Sequence, residues 1–104
     1  MTLTSKFSEV VATRELVFVS NDGAKDAYLV SVAKPEKDDG GIDFLCAHEV
    51  MSENFHKVVK IHGIDTFQAI ELSIKSIASY LEYLERKNGG KFYFLGESGH
   101  CFPK

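Results

Sequence analysis

The chain is poor in cysteine and proline and has no tryptophan: two Cys, two Pro and no Trp in 104 residues. Cys46 and Cys101 stand far apart and do not make the disulfide framework that staples a small secreted domain. Both read as free thiols of a reducing compartment. No run of about 20 apolar residues occurs, so no segment is expected to span a membrane. Met1 to Lys6 lacks the apolar stretch of a signal peptide. A basic excess is missing too: 12 Lys and Arg against 15 Asp and Glu give a net charge of −3, which argues against nucleic-acid binding. There is no internal repeat and no low-complexity tract. Zinc spacings such as CxxC or HExxH and the ligand spacing of an EF-hand are also absent. These absences lead us to expect a cytoplasmic domain with no cofactor, no nucleic acid and no membrane among its partners.

What is present is ordinary for a globular domain. Hydrophobic residues make up 44% and charged residues 26%. The length fits one domain, able to bury roughly two-thirds of the surface of its unfolded chain. Glu15–Ser20 is rich in β-branched and aromatic residues and reads as a strand, with Val10 as its earliest start. Asn21-Asp22-Gly23 is a turn signal, and Ala27–Ala33 a second strand with Tyr28, Val30 and Val32 on one face. A polar loop, residues 34–41, follows. Ile42–Val50 reads as a third strand, Met51–Asn54 as a turn and Phe55–Ile61 as a fourth strand.

One long helix comes next. Asp65 fits its N-cap, and Gln68 is placed to reach back to the Asp65 N–H as a capping-box partner. Phe67, Ile70, Ile74, Ile77, Leu81 and Leu84 recur every three or four residues and predict the buried stripe. Asn88-Gly89-Gly90 ends the helix, Lys91–Leu95 reads as a fifth strand, and residues 96–104 read as irregular. The order β-β-β-β-α-β predicts an α+β domain of residues 1–104. An antiparallel sheet of about five strands would carry one helix on one face and leave the other partly open.

Two features carry functional weight. Glu36, Asp38, Asp39, Asp43, Glu49 and Glu53 fall within eighteen positions, with Lys37 the only basic residue among them. Such local acidity steers a basic partner. The second is a semi-apolar line on the helix, Leu72, Ser76 and Tyr83, flanked by Ala69 and Tyr80; surface tyrosines are common interface anchors. The expected partner-binding residues are therefore the six carboxylates with Leu72 and Tyr83. No catalytic residue and no metal ligand is assigned. An alternative uses Cys46 and His48, which alternate onto one face of a strand, with His56, His62 or His100. That arrangement would suit a small thiol- or metal-dependent enzyme or ligand-binding domain. The more ordinary expectation is a buried cysteine beside a surface or interface histidine. A self-associating domain, closed over its open sheet face by a second copy, is the third possibility.

The helix start Gly63-Ile64-Asp65-Thr66-Phe67-Gln68-Ala69-Ile70 resembles that of a family of small bacterial proteins of unknown function. In that family a Gly-Val/Ile-Asp-Ser/Thr-x-Gln-Ala-Leu/Ile start follows an antiparallel sheet. Arg14–Val19 with Asp22-Gly23 is similar to its first hairpin, Lys34-Pro35-Glu36 to a turn (with Ala33 in place of its glycine), and Leu95-Gly96 and Phe102-Pro103 to its ending. The resemblance implies the fold order above and no catalytic residues. By size, acidity and expected cytosolic character, the chain also resembles immunity proteins of contact-dependent growth inhibition systems. That resemblance implies binding to a toxin domain, with nucleases among the toxins whose basic clefts an acidic surface suits.

Overall fold

The computed structural model describes residues 3–41 and 43–103. Its elements are β1 (Val10–Ser20), β2 (Lys25–Ala33), β3 (Glu36–Lys37), β4 (Phe44–Ser52), β5 (Phe55–Gly63), α1 (Thr66–Asn88), β6 (Gly90–Phe94) and β7 (Glu97–Ser98). The fold is α+β: an antiparallel sheet with a single helix against one face. The main strands lie in the order β5, β4, β2, β1, β6. β1, β2, β4 and β5 form a meander. The helix then carries the chain back across the sheet, so that β6 pairs with β1.

β2 and β5 run two residues longer than the sequence suggests, whereas β4 keeps its expected length but is shifted into residues that read as turn. The β4–β5 connection shortens to Glu53-Asn54, leaving Ser52 opposite Phe55. The expected start of the third strand, Ile42, lies outside the described residues, as do Met1, Thr2 and Lys104. Two short strands were not foreseen: β3 lines up beside Phe44 and Leu45, and β7 beside Tyr93 and Phe94. Two-residue strands carry no periodicity to read.

The core lies between helix and sheet. Leu16, Phe18, Tyr28, Val30, Val32, Cys46, Val50 and Phe92 face Ala69, Ile77, Leu81 and Leu84. Phe92 meets Phe18 and Tyr28 edge to face, each at a ring separation of 5.0 Å. The expected face of β2 holds, as do Ile77, Leu81 and Leu84 in the buried stripe of the helix, but the first turns are rotated. Ala69, Ser73, Ile77, Ala78, Leu81 and Leu84 are its buried residues. Phe67, two positions before Ala69, comes out about 160° away around the helix axis and is 84% exposed. Ile70 and Ile74 lie half-buried on the flank. The cause is close approach: a Cβ on Gly63 would stand 2.4 Å from the backbone N of Ala69, so small residues pull the helix start onto the sheet.

The caps fix the helix in place. Asp65 accepts from the Gln68 N–H at 2.7 Å, as expected. The Gln68 side chain reaches one residue further than foreseen, accepting from the Ile64 N–H at 2.8 Å. Gly89 takes the left-handed conformation (φ 67°) that ends a helix, and its carbonyl accepts from Asn21 N–H in the first hairpin turn.

The segments around Lys6 and around His100–Phe102 both fold back onto the sheet. On the face away from the helix, the backbone N–H of Lys6 points at the Glu49 carboxyl group, at 3.2 and 3.4 Å from its two oxygens. That face is therefore more covered than foreseen: Leu29, Ser31, Glu49 and Met51 are all buried. On the helix side, the Arg14 guanidinium donates to the carbonyls of His100 and Cys101, at 3.1 and 2.9 Å. It stacks over the rings of Phe94 and Phe102, 4.6 and 4.3 Å from their centroids.

Candidate protein-interaction surface

The acidic segment is divided by the strand it contains. Glu36, Asp38, Asp39 and Asp43 cluster at one end of the sheet, where the Asp38 N–H donates to the Asp43 carbonyl and His62 approaches the Asp38 carboxylate at 3.6 Å. Glu36 and Asp39 are exposed, Asp38 and Asp43 half-buried. Glu53 sits in the turn at the far end of β4, roughly 30 Å away at the rise of an extended strand.

Glu49 is a correction. It is 0% exposed and cannot meet a partner. His56 Nε2 donates to it at 2.8 Å, while the Lys6 N–H occupies its other side. Ser31, opposite Glu49 in the β2–β4 register, is also buried, and its hydroxyl is the one buried side-chain polar atom without a partner among the described residues.

Cys46 and His48 share the helix-facing side of β4, as their spacing predicts, yet His48 is buried rather than at the surface. The Ser73 hydroxyl donates to the Cys46 carbonyl at 3.0 Å, which spends its only proton. It therefore accepts from His48 Nδ1–H at 3.1 Å, fixing the imidazole tautomer. Burial lowers the His48 pKa from 6.5 to about 4 and raises that of the Cys46 thiol. A neutral imidazole and a protonated, enclosed thiol make a packed polar joint between β4 and α1 rather than an activated nucleophile. His100 is tied elsewhere: it accepts from the Phe102 N–H at 3.0 Å and donates to Glu82 at 3.1 Å. No group of three or more His, Cys, Asp or Glu side chains able to hold a metal ion occurs among the described residues.

The second expected surface keeps only its outer part. Ala69 is fully buried and Ser76 half-buried, while Leu72 and Tyr83 remain exposed. Tyr83 stacks on Tyr80, and Tyr80 on Phe55. Lys57 and Lys87 lie over the rings of Tyr80 and Tyr83, at 5.6 and 5.7 Å. The aromatic flank thus carries two lysines and lies toward the Glu53 end of β4 rather than beside Glu36, Asp38, Asp39 and Asp43.

The carboxylates instead neighbour a surface that the helix periodicity hid. Phe44 pairs with Gly63, so Asp43 and Ile64 leave the sheet side by side. Ile64 is 73% exposed and, with Phe67, Ile70, Ile74 and Pro103, lines a groove of about 590 Å³. A pattern assigned to the core contains no signal that would have marked it as surface. A larger groove, about 740 Å³, crosses the opposite face of the sheet between Leu3, Val17, Leu29 and Tyr93.

This is a two-layer α+β domain: an antiparallel sheet with one helix packed against it. The chain belongs to the family described as Domain of unknown function (DUF6968), whose profile matches residues 12–104. No curated protein and no solved structure matches it. No helix among the described residues is long and apolar enough to cross a membrane.

Proposed function

We propose that this chain is a non-enzymatic protein-binding module of the bacterial cytoplasm, and most concretely an immunity protein that binds and blocks a basic toxin domain, with a nuclease as the toxin class. One observation carries this reading: Glu36, Asp38, Asp39 and Asp43 gather at one end of the sheet, beside the exposed apolar side chains of Ile64 and Phe67. An acidic rim beside an apolar centre is the composition by which protein surfaces recognise basic partners. Blocking would be steric, with the carboxylates pairing to lysines and arginines of the toxin cleft and speeding encounter. The enclosure of Cys46 and His48 lends no support to the alternative of a thiol- or metal-dependent site.

Co-expression with the product of the adjacent gene tests the reading. Survival of cells that the neighbour alone kills, together with a salt-sensitive complex of the two purified proteins, is the expected result. A neighbour that still kills, or that shows no binding at low ionic strength, would overturn it.

A further inference from the structure

We propose that the groove at the start of α1 is the anchor site of this module, and that it takes an apolar side chain presented between lysines or arginines of a protein partner. The proposal rests on the protein-binding reading but not on the partner being a toxin. Three observations carry it. The groove is apolar and contiguous: Ile64, Phe67, Ile70, Ile74 and Pro103 line it together, and Phe67 and Ile64 are among the most exposed large apolar side chains of the described residues. Scattered exposed apolar residues are common on monomers, but a grouped set with a concave shape marks a contact site. Phe67 and Ile64 are absent from the packed core, so the fold itself does not account for them.

The charge around the groove selects the occupant. Asp65 and Glu71 lie on its wall, and Glu36, Asp38, Asp39 and Asp43 flank the strand end from which Ile64 emerges. Against these six carboxylates stand Lys37 and Lys75, with His62 already turned to Asp38. A second copy related by a twofold axis would set acidic rim against acidic rim, and an anionic membrane would be repelled. A cationic protein surface with a protruding apolar side chain meets both the charge and the shape.

The test uses the whole chain, isotopically labelled, with two synthetic twelve-residue peptides that share leucine positions and differ only in carrying Lys/Arg or Glu between them. The Lys/Arg peptide is expected to shift amides of residues 64–71 and of Asp38, Asp39 and Asp43. Its affinity should fall at least tenfold in Phe67→Ser, which leaves the core intact, and again on raising the salt. The Glu peptide should shift nothing. Shifts confined to the Tyr80–Tyr83 flank, or equal binding of both peptides, would overturn the proposal. So would self-association abolished by Phe67→Ser, or binding to phosphatidylcholine–phosphatidylglycerol vesicles in place of the peptide. A toxin neutralised as well by Phe67→Ser as by the unchanged chain would overturn the anchor site and leave the immunity reading standing. Peptide binding without any neutralised neighbour would do the reverse.

Discussion

Gly63 and Ala69 touch across the junction of sheet and helix so closely that a single added carbon on Gly63 would lie 2.4 Å from the Ala69 nitrogen and 2.8 Å from its Cα. The contact sets the depth at which the helix enters the fold and the face it turns outward. Gly63→Ala is therefore expected to lower stability by about 1–3 kcal/mol, the usual cost of overpacking. Urea denaturation followed by circular dichroism measures this. A variant as stable as the parent would mean the helix start is free to shift.

The two thiols should differ sharply in reactivity. Cys101 is exposed, whereas Cys46 is enclosed and its thiol pKa is raised by burial. Titration with Ellman's reagent at pH 8 is expected to find one fast thiol in the folded protein and two after denaturation. Cys101→Ser should remove the fast one.

Stability should depend on pH through His48. Its folded pKa of about 4 lies below the ordinary 6.5, so the unfolded chain binds the proton that the folded chain refuses. Stability from this group is complete above pH 6.5 and falls as pH drops toward 4. At roughly 1.4 kcal/mol per pH unit, the loss at pH 5 is about 2 kcal/mol. Comparing urea midpoints at pH 7 and pH 5 for the parent and His48→Gln isolates this slope, which should be flatter in the variant.

Arg14 should hold the C-terminal segment. Its two carbonyl hydrogen bonds and two ring contacts use the planar fork of a guanidinium, which lysine lacks. Arg14→Lys is expected to lose about 1–2 kcal/mol and to expose residues 99–103 to carboxypeptidase. Mass spectrometry of the trimmed protein reads this directly, and equal resistance of both forms would refute it.

Much of the fold was legible because alternation and helix spacing report which side chains share a face. Tyr28, Val30 and Val32 were placed correctly on that basis, as were Ile77, Leu81 and Leu84. Asp65 at the N-cap and Gly89 past the helix end were readable from local chemistry alone. The rotation of the helix was not. An apolar residue every third or fourth position is compatible with several faces, and the choice was made by Gly63, which has no side chain to weigh. The same holds for Glu49. Its sequence neighbours read as an acidic run, and only the fold of residues 3–7 over the sheet shows that its carboxyl group is covered. The candidate surface moved accordingly, from six carboxylates and a tyrosine flank to four of those carboxylates beside Ile64 and Phe67.

The pairing of β6 with β1 has a consequence for how the protein is made. β1 leaves the ribosome before α1 and β6, and its outer edge stays without a partner until the segment carrying Phe92, the aromatic at the centre of the core, has been synthesised. A nascent chain short of that point exposes Leu16 and Phe18 along an unpaired strand. The finished fold depends on contacts between distant parts of the chain, which form slowly. A ribosome stalled within α1 would therefore hold an adhesive intermediate, and chaperone demand should be concentrated in the interval before β6 emerges.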